Sequence, residues 1–395
     1  MDEQAVKTGV SVLCANANLL GKVRLGLLTN FTGVMPGFER NVDALLTSGL
    51  NLTALFGPEH GLHGSVQAGQ TECDEVDVGT GLPLFDTYMK SSDDLDELME
   101  RSGVDTIVFD MQDIGVRYYT YVWSLYDCLL SAARTGKHFV VLDRPNPLGG
   151  LVTCGPGLDS DFASFVGRVD VPVRHGLTAG ELATLFNTRF LPVILGHSID
   201  LQVIEMENWR RSRPFDEIGL PWVAPSPNIP TLDSAFAFCG TGLFEGTNVS
   251  EGRGTTRPFE MIGAPYVDDR LIEMLRDLSM PGVAFREVWY MPTFHKYAGQ
   301  TVRGVQLHIT DRQEFEPIAC AVSMIWVFAS LYPDRFNFLA PKDRVSNQDR
   351  GYIFDRLWGS DALRKTVEAM HDPRTLLTPP TSPSRLYPRE VLLYS

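Results

Sequence analysis

Four short apolar runs punctuate the first half of the chain, and each stops abruptly at polar and Gly/Pro residues. They are residues 23–30 (VRLGLLTN), 52–56 (LTALF, entering GPEHG), Thr106–Asp110 (TIVFD, entering MQDIGVR) and 138–143 (HFVVLD, entering RPNPLGG). Unbroken aliphatic and β-branched runs of this length suit strands covered on both faces, as in a parallel sheet. Between them the spacing turns helical. Residues 92–99 place acidic side chains at a helix start, with Ser91 or Ser92 as cap, and Tyr121–Arg134 carries an apolar stripe that ends at Gly136. This alternation predicts an α/β protein with a doubly wound, mostly parallel sheet flanked by helices.

The second half is less regular. Residues 178–186 read as a helix opened by the capping pair Thr178 and Glu181. Residues 221–230 (PWVAPSPNIP) hold too many prolines for regular structure. A short helix over 231–238 and a long polar, Gly-rich loop over 244–258 follow. Residues 283–291 and 301–310 alternate like strands, and 317–332 and 351–370 read as helices. A boundary near 230 divides the chain into an N-terminal domain, 1–230, that carries the catalytic loops, and a smaller C-terminal α/β domain, 231–395.

Composition narrows the function. The chain has 395 residues, 44% hydrophobic and 21% charged, an ordinary globular balance. Its net charge of -15 argues against a nucleic-acid partner, and no Lys/Arg run suggests a membrane surface. The apolar stretch 317–332 is short for a bilayer span. Met1-Asp2-Glu3-Gln4 lacks the basic and apolar regions of a secretory signal, so a cytoplasmic location is expected. Cysteines 14, 73, 128, 154, 239 and 320 form no C-x-x-C pair and read as reduced thiols.

In open α/β sheets, ligands bind outside the carboxyl ends of the strands. The four runs deliver Thr29 and Asn30, then Glu59 and His60, then Asp110, Gln112, Asp113 and Arg117, then Asp143, Arg144 and Asn146 to that edge. Glu59 leads. A carboxyl group fixed at a strand end and partly desolvated favours its neutral form and suits a general acid, although it could equally cap a neighbouring helix. His60 and His63 have a spacing that could hold a metal, but Gly61 and Gly64 disfavour a helix there and no familiar spacing supplies a third ligand. No metal or cofactor is expected. Asp113 is a second carboxylate or the ion-pair partner of Arg117. Tyr118, Tyr119, Tyr121 and Trp123 could face a sugar ring or fill the core. Arg144 could recognise a carboxylate with its two-pronged guanidinium or pair with Asp143. Glu245, Asn248, Glu251, Arg253, Thr255 and Thr256 lie on the polar loop, which is a ligand loop or a solvated connector. G-x-G-x-x-G, P-loop and G-x-S-x-G patterns are absent, which disfavours dinucleotide, nucleotide and α/β-hydrolase chemistry.

Taken together, the segments resemble the NamZ-type exo-β-N-acetylmuramidases of glycoside hydrolase family 171. The matching stretches are GLLTNFTGV (26–34), FGPEHGLHG (56–64), VFDMQDIGVRYYTYVWSL (108–125), VLDRPNPLGG (141–150), SFVGRVDVPVRHGLTAGELA (164–183), PSPNIPTLDSA (225–235) and LFEGTNVSEGRGTTRPFEMIGAP (243–265). The resemblance implies a Rossmann-like N-terminal domain, a smaller C-terminal domain and a site in the cleft between them. It implies release of terminal N-acetylmuramic acid from non-reducing ends of peptidoglycan fragments, with Glu59 as the PEHG glutamate. Two positions depart from the family pattern: Phe31 stands where Gln is common and His63 where Arg is usual. Many relatives are exported and carry a signal; its absence here leaves open a cytoplasmic role in recycling imported muropeptides or a truncated start. Glu59 is the expected general acid. Asp113 and Glu251 compete for the second carboxylate, with Glu245 behind them. A lactyl carboxylate on the sugar calls for Arg117, Arg144 or Arg253. Asn30, His60, His63, Gln112, Tyr119, Asn146 and Asn248 complete the expected substrate contacts. The rival readings are a glycosidase or transferase on another amino sugar and a non-catalytic muropeptide-binding protein.

Overall fold

In the computed structural model the chain is described over residues 5–64, 75–341 and 351–395; Cys73 and the first four residues lie outside these. The apolar runs become strands. They are β1 (Leu25–Thr29), β2 (Leu52–Gly57), β5 (Thr106–Asp110) and β6 (His138–Leu142), joined by the shorter β3 (Glu75–Val76), β4 (Pro83–Asp86) and β7 (Leu201–Ile204). All lie in one sheet of order β3-β4-β2-β1-β5-β6-β7. Every pairing is parallel except β3 with β4.

Why the runs are continuous is visible in the packing. Along each central strand, alternate residues enter different apolar clusters. Leu27, Leu55, Val108 and Val140 pack with residues of α1 (Gly9–Ala15) and α2 (Asn41–Thr47). Leu28, Phe56, Phe109 and Val141 pack with α3 (Ser92–Arg101), α4 (Tyr121–Arg134) and α5 (Ala179–Leu185). Each such side chain contributes ~1.5–3 kcal/mol by leaving water. The caps follow the sequence: Ser91 with Asp94 opens α3, and Thr178 with Glu181 opens α5. Gly9 is needed where α1 meets β6, because a Cβ there would collide with the Asp143 backbone.

From β1 the chain builds outward through β2 and β4, then returns to β5 and continues through β6 and β7 on the other side. The strand order therefore reverses between β1 and β5, the position at which open α/β sheets bind ligands.

Beyond α6 (Leu191–Leu195), residues 221–230 are irregular, as their prolines require. Then come α7 (Leu232–Thr241), β8 (Met261–Ala264), α8 (Asp269–Asp277), β9 (Val283–Tyr290), β10 (Val302–Ile309) and α9 (Pro317–Leu331). The three strands form an antiparallel sheet of order β8-β10-β9. The helix expected over 351–370 is two helices, α10 (Ile353–Trp358) and α11 (Ala362–Glu368). Gly359 separates them with φ 100°, and a Cβ there would strike the Gly157 carbonyl.

Arg117 explains how the C-terminal helices are held to the first sheet. It is fully buried. Its Nη1 donates to the carbonyls of Pro156 and Val171, both at 2.8 Å, and its Nη2 to those of Leu357 (3.0 Å) and Trp358 (2.8 Å). The last two are the unpaired carbonyls at the end of α10, where a cation is favoured. Burial lowers its pKa to about 10, so it stays charged at neutral pH. Arg117 is thus committed to structure, which corrects its assignment as a substrate cation. Arg117→Met strands four buried acceptors and is expected to cost ~3–5 kcal/mol, the range for breaking a buried charged contact. Denaturant unfolding checks this; a loss below ~1 kcal/mol, an ordinary single hydrogen bond, contradicts it.

Candidate active site

The floor of the site is built at the switch point. Asp110 ends β5 and is fully buried. Its carboxylate receives Arg144 Nε at 2.5 Å and Nη2 at 2.9 Å, and Asn41 Nδ2 at 2.8 Å. Thr29, ending β1, donates to the Asp110 carbonyl at 2.7 Å. Arg144 therefore pairs with Asp110, not with Asp143, and both prongs of its fork toward Asp110 are occupied. This weakens its case as a ligand for a substrate carboxylate.

Glu59 stands at the end of β2. Pro58 precedes it, and His60, Gly61 and Gly64 all take left-handed φ values near 70°. The chain turns there at once, closed by Gly61 N donating to the Pro58 carbonyl at 3.0 Å. A Cβ on Gly64 would overlap the Phe31 ring, so glycine lets that ring cover the turn. The Glu59 carboxyl is 8% exposed. It accepts hydrogen bonds from Tyr88 Oη at 3.0 Å and Thr120 Oγ1 at 2.6 Å. Thr120 precedes α4 without capping it and spends its hydroxyl on Glu59 instead. Glu59 is thus anchored by hydroxyls and caps no helix through these contacts. His60 is buried beside it. His63 is exposed, with Nε2 3.8 Å from Asp77.

Asp113 follows β5. Its Oδ2 accepts from Gly115 N at 2.7 Å and lies 3.4 Å from His175 Nε2. Its hydrogen-bond partner is the Gly115 backbone, His175 Nε2 stands beside it, and Arg117 turns to main-chain carbonyls instead. The neighbouring polar side chains brace the loops. Gln112 Nε2 donates to the carbonyls of Asp113 and Pro145, each at 2.8 Å. Asn146 donates to the Leu177 carbonyl and accepts from Leu148 N. Asn30 Oδ1 accepts from the Thr32 backbone and hydroxyl. Tyr119 and Tyr121 are buried, and both hydroxyls donate to the Pro225 carbonyl, at 2.7 and 2.5 Å. Burial raises both phenols well above the usual range, and the charges of Glu59 and Asp113 push in the same direction. The rings of this tyrosine pair belong to the core, and their hydroxyls are already engaged.

The other candidates form a second network on residues 245–253. Glu251 is fully buried, not on a solvated connector. It meets Lys296 Nζ at 2.8 Å, His295 Nδ1 at 3.0 Å and Arg253 Nη1 at 3.4 Å. Burial alone would raise its pKa, but Lys296, His295 and Arg253 outweigh this and hold it well below the carboxylate range. A group so firmly ionised cannot donate a proton. Arg253 also pairs with Glu245 at 2.8 Å and stacks over Phe259 at 5.0 Å. Asn248 braces the loop, donating to the Arg335 carbonyl and accepting from Asn337 N.

Sequence reasoning missed His175, Tyr88, Thr120, His295 and Lys296. His175 left one trace, since it stands just before Gly176 and the α5 capping pair. Lys296 and His295 lie in a segment with no periodic pattern.

Comparison with known proteins places these loops in a family. Residues 25–233 match the family described as "Exo-beta-N-acetylmuramidase NamZ, N-terminal", and residues 236–386 match its C-terminal counterpart. The chain belongs to the NamZ family. Over 367 residues it is 43% identical to the peptidoglycan beta-N-acetylmuramidase NamZ of Bacillus subtilis (strain 168), which covers 92% of this chain and 84% of that protein. Crystal structures of two DUF1343 family proteins from Bacteroides fragilis NCTC 9343 each align over 99% of both chains. One has a TM-score of 0.82 at 31% identity, the other 0.70 at 24%. The more distant likeness speaks for the mixed α/β fold alone. The NamZ match spans both networks, Glu59 and Asp113 in the first segment and Glu251 in the second.

One further carboxyl group in this edge is unusual. Asp143 is fully buried and accepts from Thr178 Oγ1 and Tyr394 Oη, each at 2.7 Å, and from Gly180 N at 2.8 Å. Burial pushes it up to about 7 despite these donors, from an ordinary value of 3.8. Between those values the folded protein keeps a proton that the unfolded chain releases. Stability contributed by this group is therefore full below 3.8, falls as pH rises toward 7, and is level above. Asp143→Asn keeps the hydrogen bonds, because its amide can donate to both hydroxyls. It is expected to flatten that decline by a few kcal/mol, because each tenfold difference in proton affinity between the folded and unfolded chains is worth roughly 1.4 kcal/mol. Urea midpoints between about pH 4 and 8 test this, and an unchanged slope would contradict it.

Proposed function

We propose that this protein is an exo-acting glycoside hydrolase that releases terminal β-linked N-acetylmuramic acid from the non-reducing ends of peptidoglycan fragments. The NamZ family match supports the activity. The single structural observation that carries the mechanism is the contrast between two buried glutamates. Glu251 is held ionised by Lys296, His295 and Arg253, whereas Glu59 sits at a strand end against two hydroxyl donors. Glu59 is the group suited to give a proton to the leaving glycosidic oxygen, and Glu251 is not.

Glycosidases work with two carboxyl groups around an oxocarbenium-like transition state. Asp113 takes the second role in this reading. It follows β5 at the same strand-end edge that carries Glu59 after β2, and its Oδ1 is buried with no hydrogen-bond partner among the described residues. Glu251 then anchors the loop that carries Arg253. We read the first sheet as Rossmann-like and residues 231–395 as a smaller domain closing the cleft over it. Arg117 and Arg144 are buried in structural contacts, whereas Arg253, also paired with Glu245 and Glu251, keeps 15% of its side chain exposed and is the candidate to meet the lactyl carboxylate.

Glu59→Gln should fold normally and lose about 10²–10⁴-fold in kcat on a chromogenic N-acetylmuramic acid glycoside, the usual worth of a general acid. Turnover within a few-fold of the unaltered enzyme would remove Glu59 from this role. Arg253→Ala should lower kcat/KM on muramic glycosides about tenfold more than on N-acetylglucosamine analogues, as a charge-assisted contact to the lactyl group requires. Equal losses on both would sink the Arg253 assignment.

A further inference from the structure

We infer that His175 is a positioning residue for this reaction, a fixed donor that holds Asp113 by Oδ2 so that Oδ1 faces the reacting sugar. The inference rests on the glycosidase reading above and names a group which that reading lacks.

The tautomer follows from the hydrogen bonds. Leu177 N donates to His175 Nδ1 at 3.2 Å. A backbone N–H can only donate, so Nδ1 is the acceptor and the neutral ring carries its proton on Nε2. That nitrogen lies 3.4 Å from Asp113 Oδ2 without completing a hydrogen bond to it, and donates there once substrate draws the carboxylate into line. Gly115 N already donates to the same oxygen at 2.7 Å. Gly115 N is thus the donor on Oδ2, with His175 Nε2 standing beside it. Asp113 Oδ1 and His175 Nε2 are both buried with no hydrogen-bond partner among the described residues. Leaving such atoms unsatisfied costs ~1–3 kcal/mol each, so their retention in a packed interior points to a ligand that completes them.

The imidazole has little freedom to do anything else. His175 is fully buried. The backbone of Arg174 pairs with Cys154 in both directions, at 2.9 and 3.1 Å, and Arg117 N donates to the Val173 carbonyl at 2.7 Å. Gly176 is left-handed (φ 66°), and Arg211 Nη1 holds its carbonyl at 2.9 Å. The α5 cap begins two residues later. The histidine segment is thus tied on one side to the strand-end loop that carries Asp113 and on the other to a helix start. Protonating Nδ1 would break the Leu177 bond, so the ring acts as a donor of one fixed direction. The titratable groups around Asp113 are His175, Glu59 and the phenols of Tyr119 and Tyr121. Of these His175 is the one with a nitrogen beside its carboxylate, 3.4 Å from Oδ2.

A donor to the charged form of a carboxylate favours that form. Removing it makes the carboxylate easier to protonate, and the acid limb of kcat/KM moves to higher pH. The test uses the full-length enzyme on a chromogenic N-acetylmuramic acid glycoside, with kcat, KM, pH profile and thermal midpoint measured for each variant. His175→Leu should lower kcat about 10–100-fold, the scale of one lost orienting contact, with KM within a few-fold and the acid limb displaced upward. His175→Asn, whose amide ends short of the Nε2 position, should behave likewise and serves if the leucine variant does not fold. His175→Gln, whose amide nitrogen reaches that position, should restore the acid limb and most of kcat. Native acid limbs in both the Leu and Asn variants would overturn the inference, as would a loss that Gln does not recover while the thermal midpoint is normal. Either result with Glu59→Gln still inactive leaves the glycosidase reading standing. An unaltered enzyme without muramidase turnover would instead overturn that underlying reading.

Discussion

The buried Asp110–Arg144 pair is the interaction on which the site depends. It sits where the strand order reverses, with Asp110 at the end of β5 and Arg144 just past β6. Asn41, the first residue of α2, adds a third contact, and Thr29 of β1 adds a fourth. Three strands and a helix thus meet on one residue. A buried pair of this kind adds little net stability over an apolar substitute, but breaking it leaves an uncompensated charge. Its effect here is geometric. It fixes the ends of β1, β5 and β6 relative to one another, and the Glu59 and Asp113 loops spring from the same edge.

On that edge, environment sorts chemically similar groups into different tasks. Asp110 is neutralised by a guanidinium and is structural. Asp143, buried among hydroxyls and a backbone amide, is pushed up to about 7 and holds the tail at Tyr394. Glu251 is kept ionised by Lys296 and Arg253, with His295 also in contact. Glu59 and Asp113 remain, the first accepting from the Tyr88 and Thr120 hydroxyls and the second from a backbone amide with an imidazole beside it. Pairs of titratable groups in contrasting surroundings are how one fold supplies both an acid and a base. The division seen here follows from which partner each loop delivers.

Much of this is legible in the sequence because it is local. The continuous runs at 52–56 and Thr106–Asp110 announce strands buried on two faces, and the capping pair Thr178 and Glu181 announces α5. Strand-end placement alone puts Glu59 and Asp113 at the ligand edge. What stays hidden is non-local or too short to show a period. The strands β3, β4, β7 and β8 span only two to four residues. Arg117 looks like a ligand because its partners are main-chain carbonyls at 156, 171, 357 and 358, which carry no side-chain signature. Arg144 reads as the partner of its neighbour Asp143, whereas the true partner arrives through the sheet. His175 is remote in sequence from Asp113, and only the pairing of residues 173–174 with the 116–117 and 154 segments brings the two together.

The same pattern bears on how an acidic protein holds an acidic sugar. A net charge of -15 repels an anion at long range, but salt confines that field to ~10 Å from the surface. Binding is then decided by the few cations at the site. Arg117 and Arg144 lie near it yet are consumed in holding it together, one on backbone carbonyls and one on Asp110. Arg253 is also paired, with Glu245 and Glu251, so under the proposed assignment a substrate carboxylate would meet a cation whose charge is already shared between two glutamates. Such a cation can select the lactyl group by the direction of its remaining N–H bonds while adding only modest attraction. In the proposed mechanism, weak and directional recognition would leave most of the available interaction to the Glu59–Asp113 edge, where it would act on the transition state and not on the bound substrate.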